Sequence, residues 1–175
     1  VAQSVAPEST IVYVDNDPLV LVHARAWMAR STTEGRVEHL DADVREPTSL
    51  LAQTMAILDP ELPTALLLMG TLGLAVTKAG QLKDIVSELM AGLPSGSYLV
   101  LGEGVAVPDL EPDPFTAACA RFGYHTCSTD ELLSALDEFE VIEPGLVPAE
   151  QWRSDEQPSS DREPLRLRVA LARKA

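Results

Sequence analysis

Apolar positions come in short bursts separated by helix-period stretches. Ile11-Val12-Tyr13-Val14, ending at Asp15, is a β-branched run of the kind found in a strand buried on both faces. Val37 to Leu40, Ala65 to Met69 and Tyr98 to Leu101 repeat the pattern, and Ala65 to Met69 is the most apolar. Between them the period changes. After the turn Asp15-Asn16-Asp17-Pro18, where Asp17 can cap and Pro18 suits the first helical position, Leu19 to Arg30 places Leu19, Val22, Ala26 and Ala29 on one face. Glu46-Pro47 opens a helix to about Leu58, and Gln81 to Ala91 turns Leu82, Ile85, Val86 and Leu89 inward. Gly70 to Gly80 reads as irregular, and Pro108 to Pro114 as a loop.

Later elements are shorter. Phe115 to Phe122 reads as a helix, and Ser128-Thr129-Asp130-Glu131 is a capping box before Leu132 to Leu136. Phe139 to Ile142 and Leu165 to Leu171 read as strands, with a polar, acidic loop over Trp152 to Pro164. Alternation of this kind predicts one α/β domain over residues 1–175, with a mostly parallel sheet closed by a late antiparallel strand pair.

The 175 residues are 46% apolar, enough for one sizeable core. A formal net charge of -14 repels phosphate backbones and anionic lipid, so neither nucleic acid nor a membrane is expected as a partner. No apolar run reaches the length of a membrane span, and no signal peptide is visible, so a cytoplasmic location is expected. Cys119 and Cys127 match no metal or redox spacing and read as ordinary thiols in a reducing compartment. Residue 1 is Val, and Val1 to Pro7 reads as a helix tail entering a strand, so the natural protein is expected to begin upstream.

Ligands of open parallel sheets bind outside the carboxyl ends of the strands, where this reading puts Asp15 and Asp43. A carboxylate there can accept two hydrogen bonds from a ribose diol, or can simply shape a turn. Glu103, just after the fourth strand, is the best-placed acid near a chamber, with a solvated loop carboxylate as the plainer alternative. The run Val14-Asp15-Asn16-Asp17 also evokes the acidic pair of a receiver domain, with Asp59 as phosphoacceptor. The Ser or Thr and the Lys that a receiver needs at its later strand ends are missing. A nicotinamide-binding Rossmann domain would use Asp15 in the same way.

Read whole, several stretches point one way: Val12-Tyr13-Val14-Asp15-Asn16-Asp17-Pro18, Asp41-Ala42-Asp43 with Arg45 and Pro47, Pro94-Ser95-Gly96-Ser97-Tyr98-Leu99, Glu143-Pro144-Gly145, and Trp152-Arg153. The chain resembles a bacterial family of S-adenosylmethionine-dependent methyltransferases long labelled a domain of unknown function. The resemblance implies a Rossmann-like fold, S-adenosylmethionine as cofactor and a small-molecule methyl acceptor. It implies that Asp15 binds the ribose, that Asn16 sits beside the adenine, and that Asp43 with the Val44 backbone meets the adenine edge. Met69 and Gly70 would line the reaction chamber. The family's glycine-rich cofactor loop and its preceding strand have no counterpart between Val1 and Thr10. Gly70-Thr71-Leu72-Gly73 stands where the family carries a His-aromatic pair, and no residue is assigned as catalytic. A fragment lacking its first strand, inactive alone and prone to self-association through an open edge, is the resulting expectation; a non-catalytic remnant or scaffold is the alternative.

Overall fold

A computed structural model describes residues 2–27, 34–78, 80–106, 114–154 and 166–175. The chain forms two compact units, Val1–Pro60 and Glu61–Ala175.

The first unit runs α1 (Ala2–Val5), β1 (Thr10–Asp15), α2 (Pro18–Trp27), β2 (Arg36–Asp41), α3 (Pro47–Met55). β1 and β2 pair in parallel with Asp15 opposite Asp41, which brings their carboxyl ends together. Asp17 caps α2 as expected: its Oδ1 accepts from the Leu19 amide at 2.8 Å, and Pro18 takes the first helical position. Among the described side chains of α2 Leu21 is buried, whereas Leu19 and Val22 are exposed, so the inward face differs from the predicted one. A two-stranded sheet covers a narrower strip of a helix than the full core assumed from periodicity. Arg30 and the break at Thr32 lie outside the described residues.

The second unit contains β3 (Ala65–Met69), α4 (Leu72–Ala75), α5 (Gln81–Ala91), β4 (Tyr98–Gly104), α6 (Pro114–Arg121), α7 (Thr129–Leu136), β5 (Glu140–Val141), β6 (Val147–Pro148), a 3-10 turn at Ala149–Gln151, and β7 (Leu167–Arg173). Its sheet has the order β3-β4-β7-β5, with β6 also paired to β7. β3 and β4 are parallel, and β7 runs antiparallel to β4, β5 and β6. The late antiparallel pair is therefore present, and β7 lies inside the sheet.

Side-chain alternation divides this sheet into two unequal faces. Leu68, Leu99, Leu101, Ala170 and Ala172 are buried on one face, as are Leu82, Ile85, Val86 and Leu89 of α5 and Leu132, Ala135 and Leu136 of α7. α5 and α7 pack on each other. On the opposite face Leu67 and Met69 are 61% and 47% exposed, a departure from the strand buried on both sides that the sequence suggests.

The parallel strands divide between two sheets among the described residues. Among the described residues β1 pairs only with β2, and β3 only with β4, so each keeps one unpaired edge. The two thiols are free; burial pushes that of Cys127 up to about 12. No helix among the described residues is long and apolar enough to cross a membrane. The predicted loops over 155–164 and 108–113 lie outside those residues.

Candidate functional site

Four of the six candidate cofactor residues gather at the carboxyl ends of β1 and β2. The Asp15 carbonyl accepts from the Ala42 amide at 3.3 Å, which stitches the two strand ends together. Asp15 Oδ1 accepts from the Asp17 amide at 2.8 Å. Among the described residues no donor reaches its Oδ2. Asn16 is exposed and donates from Nδ2 to Asp43 Oδ2 at 3.2 Å. Asp43 also accepts from the Arg45 amide at 2.9 Å and from Arg45 Nε at 2.9 and 3.0 Å, with a further bond from Nη2. These guanidinium bonds hold the Asp43 carboxyl down at about 2, against the desolvation that opposes them. Val44 lies in the same turn and is half-buried. Arg45 was visible in the sequence as part of a motif, but its role as the partner of Asp43 was not. Asp59, the would-be phosphoacceptor, sits in the turn after α3 rather than at a strand end.

The other two candidates, Met69 and Gly70, end β3 in the second unit. Gly70 donates its amide to the Gly102 carbonyl at 2.7 Å and turns the chain with φ +70°, a conformation that favours glycine. The Met69 thioether lies over Gly102, where a Cβ would come within 2.7 Å of Sδ. Met69 also lines an open apolar pocket of about 340 Å³ with Val100, Trp152, Leu167, Val169 and Leu171.

Behind this strand end is a polar cluster of which sequence reasoning singled out Glu103 but missed the burial and the partners. β4 continues three residues past Leu101, and Glu103 is fully buried within it, not solvated in a loop. Glu103 Oε1 accepts from the Leu72 amide at 2.8 Å and Oε2 from the Gly73 amide at 3.2 Å. The Tyr124 hydroxyl also donates to Oε2. Tyr124 Oη in turn accepts from the Gly104 amide at 2.9 Å. Desolvation raises the Glu103 carboxyl, and these donors pull the other way. Tyr124 is also raised, by burial first and by its carboxylate neighbour second.

The profile of the S-adenosyl methyltransferase family matches residues 1–175, the whole chain. The chain belongs to that family. Solved structures agree. A DUF574-family protein from Streptomyces avermitilis is 32% identical with a TM-score of 0.86, covering 99% of this chain and 68% of its own. A Thermobifida fusca protein put forward as a methyltransferase is 30% identical with a TM-score of 0.80, over 99% of this chain and 66% of its own. A S-adenosylmethionine-dependent methyltransferase from Methanosarcina mazei shares the fold at 14% identity, with a TM-score of 0.62, over 99% of this chain and 86% of that one. No curated protein matches the sequence. Family and fold thus agree with the Rossmann-like α/β reading. The receiver and nicotinamide readings fall away, because the family match spans the stretches on which both were built.

Proposed function

We propose that this chain carries the nucleoside-binding side of an S-adenosylmethionine site, and that the protein methylates a small molecule. The observation that carries this reading is Asp15 Oδ2, which takes no donor among the described residues, at the carboxyl end of a parallel strand, beside Asn16 and Asp43. A ribose diol offers two donors, and a carboxylate with one oxygen uncommitted can take them at charge-assisted strength. Asn16 and the Asp43–Val44 turn flank the place an adenine would occupy. The cofactor supplies a methyl group on a sulfonium, already a good leaving group. The chain's task is then to bind and align, and no general base is required of it. Met69 and Gly70 belong to the chamber in this reading, and the two compact units act as one methyltransferase domain in the cytoplasm.

The 175-residue chain alone is proposed to lack activity. No glycine between Val1 and Thr10 offers the close backbone approach that the methionine part of the cofactor needs. Its unpaired strand edges are proposed to favour self-association.

The test is calorimetric titration of the full natural polypeptide with S-adenosylhomocysteine. Asp15→Ala is expected to weaken binding by roughly 2–3 kcal/mol and Asp43→Ala by about 1–2 kcal/mol, since the latter carboxylate is already shared with Arg45. Unchanged affinity in both variants would reduce the two carboxylates to turn formers and refute the site.

A further inference from the structure

The buried Glu103–Tyr124 pair has no part in the reading above, yet it grips the segment that leaves β3. Two successive amides, Leu72 and Gly73, point at one carboxylate on the neighbouring strand. The Tyr124 hydroxyl is the third donor and is itself fixed by the Gly104 amide. The Gly73 carbonyl accepts from the His125 amide at 2.7 Å, so the chain around Tyr124 is tied to the same segment a second time. Gly73 packs directly on the Tyr124 ring, where a Cβ would fall 2.3 Å from Cζ. A buried carboxylate is an expensive way to fill space, and an apolar side chain would stabilise the fold as well or better. What the carboxylate adds is geometry, because an acceptor-only group can hold several amides at one point.

We propose that Glu103 and Tyr124 are positioning residues for methyl transfer, clamping the turn after β3 so that Met69 and Gly70 keep a fixed place at the carboxyl edge of the sheet. The inference rests on the proposed reading that those two residues line the reaction chamber. Neither Glu103 nor Tyr124 is assigned any contact with the reacting groups.

The clamp is tested in the full natural polypeptide with Tyr124→Phe and Glu103→Gln, the two variants serving as checks on each other's folding. Without ligand, amide exchange at Leu72 and Gly73 should rise roughly tenfold, while Leu99–Leu101 and Ala170–Ala172 change less than about twofold. The ultraviolet spectrum of Tyr124, obtained by difference against Tyr124→Phe, should lose in Glu103→Gln the red shift of a phenol bonded to a carboxylate. Affinity for S-adenosylhomocysteine should fall roughly five- to twentyfold in both variants. In Leu132→Val, which loosens the core of the same unit, affinity should stay within about twofold. Three results would overturn the clamp: unchanged exchange at Leu72 and Gly73, exchange rising equally in the strands, or full affinity despite a loosened turn. A wild-type protein that binds no S-adenosylhomocysteine would overturn the methyltransferase reading and the clamp's purpose with it, whereas normal binding with an unaffected turn would overturn the clamp alone.

Discussion

Gly73→Ala should be the most damaging single methyl group that can be added to the second unit. The new Cβ would lie 2.3, 2.4 and 2.7 Å from Cζ, Cε2 and Cε1 of Tyr124, so the ring must retreat by about 1 Å to reach ordinary contact. It is not free to do so, because its hydroxyl is held between Glu103 and the Gly104 amide. Overpacking costs about 1–3 kcal/mol, and a buried partner left without its hydrogen bond costs a similar amount. Allowing for partial relaxation, about 2–4 kcal/mol is expected. Gly102→Ala provides the contrast. Its Cβ would meet Met69 Sδ and Cε at 2.7 and 2.8 Å, the far end of a flexible side chain, and Val169 Cγ1 at 3.1 Å, which need give only by a few tenths of an ångström. That thioether can swing aside, so about 1 kcal/mol or less is expected. The assay is urea denaturation of the full natural polypeptide, comparing midpoints at constant m. In a Tyr124→Leu background the Gly73→Ala penalty should shrink by at least about 1.5 kcal/mol, a coupling read from a double-mutant cycle. A Gly73→Ala protein within about 0.5 kcal/mol of wild type, or one less affected than Gly102→Ala, would refute the reasoning.

Three further outcomes follow from the same geometry. Asp43, held below its usual value by Arg45, contributes stability above pH 3.8 that is lost as pH falls through about 2. Because Asp43 and Arg45 are 25% and 50% exposed, solvent screening keeps that contribution under about 1 kcal/mol; in Arg45→Gln the carboxyl resonance of Asp43 should titrate higher by NMR. Ser128→Ala removes the acceptor for the Glu131 amide and half of the capping box of α7, costing about 1 kcal/mol in thermal unfolding. The 175-residue chain expressed alone should self-associate in sedimentation runs and show no S-adenosylhomocysteine binding; a cooperative monomer that binds would contradict both.

Much of the architecture was legible from the residues. The runs at Ile11, Val37, Ala65 and Tyr98 became β1 to β4 because β-branched and leucine-rich stretches bounded by turn formers have few other options. The Ser128–Glu131 capping box and the inward face of α5 were read from spacing alone and are present. Periodicity does not report which edge pairs with which, but a sheet lacking its first strand is expected to part between the strands at Ile11 and Ala65, and β1 and β3 do lie in separate sheets. α4 was hidden because Gly70 to Gly80 has no helical pattern of its own; its first amides are organised by a carboxylate some thirty residues away. That carboxylate did leave a signal. Glu103 continues the alternation of Leu99 and Leu101, so extending the strand by two residues turns it to the buried face. Of the candidate site, Asp15, Asn16, Asp43 and Val44 were brought together because both strands end at the same level. The grip of Arg45 on Asp43 is a side-chain matter that spacing alone does not disclose.

The position of β7 has a consequence for synthesis. It is the last of the described strands, yet it occupies the middle of its sheet, with Tyr98 opposite Arg173 and Leu99 opposite Ala172. Lys174, just beyond it, donates from Nζ to the carbonyls of Met90, Ala91 and Leu93 at 2.8, 3.0 and 2.6 Å, closing the end of α5. A ribosome adding about 5–20 residues per second therefore leaves the free side of β4 without its neighbour for on the order of several seconds. Over that interval β3 and β4 form a two-stranded ribbon with both edges open, too small to be stable alone. This unit is then expected to become cooperative only when its final residues emerge, and to depend on chaperone cover until they do.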